Sequence, residues 1–178
     1  MTTALAPNAV LFDLDGTLVD SAPDLAGAAN EMRSARGLSE LPYAELRAMV
    51  GSGARGMVGL AFGIGPEDEQ FLMLRDEFLQ RYESRMTQAT QVFPGIASML
   101  ARLRERNIPW GIVTNKAMRF SEPLVRALHL RAQAATLVSG DSTPHSKPHP
   151  EPLLEAARRM GADPVACWYV GDDLRDVQ

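Results

Sequence analysis

Cysteine is almost missing from this 178-residue chain, where Cys167 stands alone. A single thiol excludes a disulfide framework and any zinc site built on cysteines, and it suits a reducing compartment. Basic charge is also in short supply. With 18 Lys and Arg against 22 Asp and Glu, the net charge is −4, which excludes the strongly basic surface of a nucleic-acid binder. No apolar run approaches the length of a membrane span. Met1 to Ala9 lacks the basic-then-apolar order of a signal peptide. What remains is an ordinary globular balance, 46% hydrophobic and 22% charged, which rules out a disordered chain or a collagen-like fibre. The expectation is a cytoplasmic protein with one core and a small insertion, a monomer or homodimer that binds neither nucleic acid nor membrane.

Four short apolar runs each end in small or polar residues. They are Ala9-Val10-Leu11-Phe12 before Asp13, Trp110-Gly111-Ile112-Val113 before Thr114-Asn115, Ala135-Thr136-Leu137-Val138 before Ser139-Gly140, and Cys167-Trp168-Tyr169-Val170 before Gly171-Asp172. Continuous apolar runs of this length read as strands covered on both faces. Helical spacing separates the later ones. Ile96, Met99, Leu100 and Leu103 repeat before Asn107, the stretch from Glu122 to Leu128 follows, and Leu153, Leu154, Ala157 and Met160 lie between Pro150 and Gly161. Alternating strands and helices predict a parallel sheet with helices on both faces.

Residues 20–89 break that rhythm, because no convincing strand occurs there. Leu25, Ala28, Ala29 and Met32 form an apolar stripe that Ser21 and Pro23 can open and Gly37 can close. Leu46, Met49 and Val50 form a second stripe, and Phe71, Leu74, Phe78 and Tyr82 a third. The segment is expected to be a helical cap, with the core formed by residues 1–19 and 90–178.

Asp13, Asp15, Thr114, Lys147 and Asp172 fall at or beyond the carboxyl ends of the expected strands. In an open α/β sheet that edge binds ligands. Any one of them alone reads as a solvated loop residue, or as a helix cap in the case of Asp15 or Asp172. Capping accounts for one acid per loop and not for Asp13 with Asp15, or Asp172 with Asp173 and Asp176. Carboxylates so close repel unless a cation lies among them. Hard oxygen ligands without Cys or His point to magnesium.

Asp13-Leu14-Asp15-Gly16-Thr17-Leu18, Val113-Thr114-Asn115, Lys147-Pro148 and Gly171-Asp172-Asp173-Leu174-Arg175-Asp176 resemble, in order, the four motifs of the haloacid dehalogenase superfamily. The resemblance spans nearly the whole chain and includes the position of the helical insert. It implies a Rossmann-like, doubly wound parallel sheet with a helical cap inserted after the first strand. It also implies phosphoryl transfer through an aspartyl-phosphate. Asp13 would be the nucleophile and Asp15 the general acid and base. Mg²⁺ would be held by Asp13, the Asp15 main chain and Asp172, with Asp176 in support. Thr114 and Asn115 would bind phosphate oxygens, and Lys147 would neutralise charge on phosphate and on Asp13. The dehalogenases of the superfamily lack an acid at the position of Asp15, so a phosphatase or phosphomutase is favoured.

Within the superfamily the chain is similar to phosphoglycolate phosphatases and to bacterial phosphatases of N-acetylmuramic acid 6-phosphate. The Thr114-Asn115-Lys116 run, the cap length and Gly171-Asp172-Asp173 carry the first likeness, and Gly53-Ala54-Arg55, Phe120-Ser121-Glu122-Pro123 and Gly171-Asp172-Asp173-Leu174-Arg175-Asp176 the second. Both substrates are small phosphomonoesters bearing a carboxylate, and the two remain open here. A signalling receiver domain also forms an aspartyl-phosphate, but its acceptor follows a later strand and it has no large helical insert.

Four readings complete the expectations. Gly51-Ser52-Gly53-Ala54-Arg55-Gly56 is expected to be a flexible cationic loop, whose Arg55, like Lys116, is a candidate substrate contact or a plain surface cation. His145, His149 and His129 read as loop and helix-end residues rather than metal ligands. Trp110 and Trp168 read as packing residues, and the nine methionines as core filling. Finally, the resemblance implies a further helix, strand and helix after Asp176, so the chain is expected to be truncated, with Asp172 and Asp176 at a frayed end and a sheet edge exposed.

Overall fold

The four apolar runs become four parallel strands of one sheet. The computed structural model describes residues 6–177, so most of the stretch read as lacking a signal peptide, and Gln178, lie outside the described residues. The strands of this sheet are β1 (Ala9–Phe12), β4 (Trp110–Val113), β5 (Thr136–Val138) and β6 (Cys167–Val170). Two further two-residue strands, β2 (Val19–Asp20) and β3 (Gln91–Val92), pair with each other. In the main sheet the order is β5-β4-β1-β6 and every pairing is parallel. The chain therefore steps from β1 through β4 to β5 on one side, then crosses back to lay β6 against the other side of β1. That reversal is the switch point of a doubly wound sheet, where a crevice opens at the carboxyl ends of the strands.

Burial explains why β1 and β4 read as unbroken apolar runs. On one face Leu11, Val113 and Val138 pack with Ala156, Leu153 and Met160 of α7 (Glu151–Met160). On the other, Val10 and Phe12 pair in register with Trp110 and Ile112, all buried, and the Phe12 and Trp110 rings meet edge to face with centroids 6.1 Å apart. Helices α5 (Ile96–Glu105) and α6 (Met118–Ala127) fill the connections. Asn107, at φ 55°, turns the chain just after α5, and Gly161, at φ 63°, ends α7 in the left-handed conformation, as their positions in the sequence predict.

The chain divides into two compact units, one comprising the residues up to Leu18 together with Val92 onward, the other Val19–Gln91. The second is helical: α1 (Ala22–Ser34), α2 (Tyr43–Ala48), α3 (Gly53–Phe62) and α4 (Phe71–Arg85). Helix α1 packs against the other three. The predicted stripes face inward, since Leu25, Ala28, Ala29, Met32, Leu46, Phe71, Leu74, Phe78 and Tyr82 are buried. Asp24, wholly buried, locks the end of this unit to its start. Its carboxylate accepts hydrogen bonds from the Ala89 and Thr90 N–H groups and the Thr90 hydroxyl, and it pairs with Arg85 at 3.6 Å.

Three local expectations are corrected. Gly53 to Gly56 do not form a loop but the first turn of α3, because the buried Met57, Val58 and Ala61 supply enough apolar contact to hold a glycine-rich start in a helix. Ser21 occupies the N-cap position of α1 but makes no side-chain capping bond there. Trp168 is not a packing residue: β6 is an edge strand with alternating burial, which leaves Trp168 54% and Val170 42% exposed while Tyr169 turns inward.

Candidate active site

Asp13 is the first residue beyond β1, and its N–H donates to the Val170 carbonyl at 2.9 Å, which fixes it at the switch point. Its Oδ1 accepts from the Leu14 N–H at 2.7 Å and from Lys147 Nζ at 3.0 Å. Burial pushes the Asp13 carboxyl up to about 6. Lys147 and the Leu14 hydrogen bond pull it back in part, and Asp15 adds to the rise. The turn that follows carries Asp15, whose carboxylate meets Lys116 Nζ at 3.0 Å. Gly16 sits in this turn at φ 86°, and a Cβ there would lie 2.1 Å from Asp172 Oδ2. Only glycine both takes this conformation and lets the Asp172 loop approach so closely. Thr17 completes the contact, donating its hydroxyl to Asp172 Oδ1 at 2.8 Å.

The loop after β4 brings three more predicted residues. Thr114 is buried, its N–H donates to Val138 O at 2.9 Å, and its hydroxyl oxygen accepts from the Lys116 N–H at 3.1 Å. The Asn115 side chain makes a reciprocal clamp on Lys147: its amide donates to Lys147 O and its carbonyl accepts from Lys147 N, both at 2.9 Å. Two loops far apart in sequence are thus bolted together beside Asp13. Only two lysines occur in the whole chain, Lys116 and Lys147, and both lie here against an acid.

Beyond β6, Asp172 is exposed, whereas the Asp176 side chain is only 1% exposed. Its Oδ1 accepts from Lys147 Nζ at 2.7 Å and from the Tyr169 hydroxyl at 2.8 Å, and its Oδ2 accepts from the Asp173 N–H at 3.0 Å. Burial pushes the Asp176 carboxyl up, but the hydrogen bonds from Lys147, Asp173 and Tyr169 outweigh it and leave it below the ordinary range. Asp173 plays a different part. It caps the last turn and takes a fork from Arg175 at 2.6 and 2.8 Å, which holds it down to about 2. Asp13, Asp172 and Asp176 each offer an oxygen within 4.8 Å of the others. Three carboxylate oxygens so close, with no His or Cys among them, fit a hard cation such as Mg²⁺ better than zinc.

The predicted residues separate into two groups. Asp13, Asp15, Thr114, Asn115, Lys116, Lys147, Asp172 and Asp176 gather at one sheet edge. Arg55 lies on the helical unit, exposed, in the first turn of α3. Two features escape the sequence reading: the Asn115 side-chain clamp and Tyr169. Burial pushes the Tyr169 phenol up, with Asp13, Asp176 and Asp172 adding to the rise, so it stays protonated. The inward turn of every second residue in β6 is the signal that could have exposed Tyr169.

Comparison with known proteins agrees with this geometry. The family model of the haloacid dehalogenase-like hydrolases matches residues 10–178. An N-acetylmuramic acid 6-phosphate phosphatase from Pseudomonas putida is 43% identical over 170 residues, covering 96% of this chain and 76% of the relative. A phosphoglycolate phosphatase from Xanthomonas campestris is 44% identical over 172 residues, covering 96% and 77%. Among solved structures, a predicted phosphoglycolate phosphatase from Haemophilus somnus superposes with a TM-score of 0.82 at 25% identity, covering 96% of this chain and 79% of that one. The chain belongs to the haloacid dehalogenase-like hydrolases. Within that family it is a phosphoric monoester hydrolase, which removes the receiver-domain alternative.

Proposed function

We propose that the chain is a Mg²⁺-dependent phosphomonoesterase that hydrolyses a small phosphorylated metabolite through an aspartyl-phosphate. The observation that supports this most is Asp13 at the switch point, with Lys147 on its carboxylate and Asp172 and Asp176 beside it. The Asp13 carboxylate attacks phosphorus and the bond from phosphorus to the leaving oxygen breaks. Asp15 gives that oxygen its proton, then takes one from the water that splits the acyl phosphate and releases Asp13. Lys116 fixes the Asp15 side chain for both steps. Thr114 and the Asn115 main chain receive the phosphate oxygens, and Lys147 neutralises charge as it spreads over them. Asp13, Asp172 and the Asp15 main-chain carbonyl would hold Mg²⁺, with Asp176 supporting from behind. When bound, the ion would supply the remaining positive charge for a phosphate dianion.

The relatives support one substrate class. Phosphoglycolate and N-acetylmuramic acid 6-phosphate phosphatases resemble the chain to nearly equal degree, and both substrates join a carboxylate to a phosphomonoester. Arg55 is the cap residue we assign to that carboxylate. Arg55→Ala should then raise KM for a carboxylated substrate several-fold and leave p-nitrophenyl phosphate unaffected.

Steady-state kinetics with Mg²⁺ test the proposal. Asp13→Asn should abolish turnover of p-nitrophenyl phosphate; activity surviving in that variant overturns the mechanism. 2-Phosphoglycolate and N-acetylmuramic acid 6-phosphate are then compared directly. If neither is hydrolysed faster than p-nitrophenyl phosphate, the substrate class is wrong.

A further inference from the structure

Lys147 Nζ is 4% exposed at the side chain and meets three oxygens: Tyr169 Oη at 2.6 Å, Asp176 Oδ1 at 2.7 Å and Asp13 Oδ1 at 3.0 Å. An ammonium has three N–H donors and no acceptor. All three donors are therefore spoken for, and the Tyr169 oxygen must accept. The phenol proton is left to donate, and two acceptors lie within reach, Asp176 Oδ1 at 2.8 Å and Val113 O at 3.2 Å. Tyr169 stands on β6 opposite Leu11, and Val113 ends β4 on the far side of β1. The phenol thus reaches across β1 to tie the lysine to the frame of the sheet, on the face that α7 covers.

Charge explains why a tyrosine suits the position. Asp13 and Asp176 already place two negative charges on one ammonium. A third carboxylate would leave the cluster too negative for an incoming phosphate, whereas an apolar side chain would leave a buried N–H unsatisfied. A phenol supplies direction without charge. We infer that Tyr169 is a positioning residue, the neutral third acceptor that holds the Lys147 ammonium between Asp13 and the incoming phosphate. This rests on the phosphatase reading of the site and names a residue outside the four motifs' acids, lysine and threonine.

Tyr169→Phe keeps the ring and removes only the hydroxyl, so the melting temperature should move by no more than a few degrees. With p-nitrophenyl phosphate and Mg²⁺, kcat should fall on the order of tenfold or more while KM stays within about twofold, the pattern of an interaction that matters in the transition state. A second readout does not depend on turnover. Limited acetylation with acetic anhydride, mapped by peptide mass, should label Lys147 several-fold faster in the variant, with Lys116 as the internal reference. A kcat within twofold of wild type together with an unchanged Lys147 to Lys116 ratio overturns the inference. So does a parallel rise at both lysines, which would report general loosening. If the wild-type protein hydrolyses no phosphomonoester, the phosphatase reading fails, and the labelling ratio alone still decides whether Tyr169 holds Lys147.

Discussion

Asp13, the nucleophile in the proposed reaction, also weakens the fold. Its carboxyl, pushed up to about 6 chiefly by burial, is costly to ionise in the folded protein. The sign follows from linkage: a carboxyl raised above its ordinary value costs nothing below about pH 4, where both states are protonated, and costs most above about pH 6. Asp13→Asn should therefore stabilise the chelator-treated protein by about 1–3 kcal/mol at pH 7–8. The gain should fade as pH falls toward 4. Urea unfolding across that range checks it, and an equal gain at every pH would mean that desolvation of the carboxylate is not the cause. At this scale most of the candidate site was legible, because Asp13, Asp15 and Asp172 each follow closely on the end of a strand, and Lys147 lies in the long loop after β5. Tyr169 was hidden because Cys167-Trp168-Tyr169-Val170 looks uniformly apolar, although one of its four side chains reaches the lysine.

Among the elements, α1 and β6 make contrasting demands on single residues. Asp24 of α1 is wholly buried and holds the Ala89–Thr90 segment by three hydrogen bonds as well as pairing with Arg85. Asp24→Ala removes the acceptor and leaves those donors and Arg85 without it, which should cost roughly 2–5 kcal/mol in chemical unfolding. A loss under about 0.5 kcal/mol would show that the segment is held by other means. On β6 the exposed face makes a spectroscopic prediction. Trp168 is open to solvent and Trp110 is buried, so acrylamide should quench two fluorescence populations. Trp168→Phe should remove the accessible one, and Trp110→Phe the protected one. Element boundaries in the helical unit show where local reading stops: Gly51 to Gly56 contain three glycines and read as a loop, yet Met57, Val58 and Ala61 find partners that hold the first turn.

For the whole molecule, the net charge of −4 means that the overall field repels a phosphate dianion. In the proposed reaction, attraction comes at short range from the two lysines, main-chain amides and the Mg²⁺ that Asp13 and Asp172 would hold. Raising ionic strength from about 0.01 to 0.2 M should therefore leave kcat/KM unchanged or raise it slightly, since salt screens the long-range repulsion more than the buried contacts. A steep fall with salt would point to long-range electrostatic steering instead.

The sequence by itself determined the strands, the helical insert and the acids at the strand ends, because each is written in a few neighbouring residues: an apolar run, a period of 3.6, a turn after a carboxylate. Only the tertiary structure decided which strand lies beside which. Placing β6 against β1 brings Asp172 and Asp176 to Asp13, turns Trp168 outward and carries the Tyr169 hydroxyl to Lys147. Those relations depend on pairing between segments far apart in the chain, where no local periodicity records the partner, and packing of the sheet as a whole selects it.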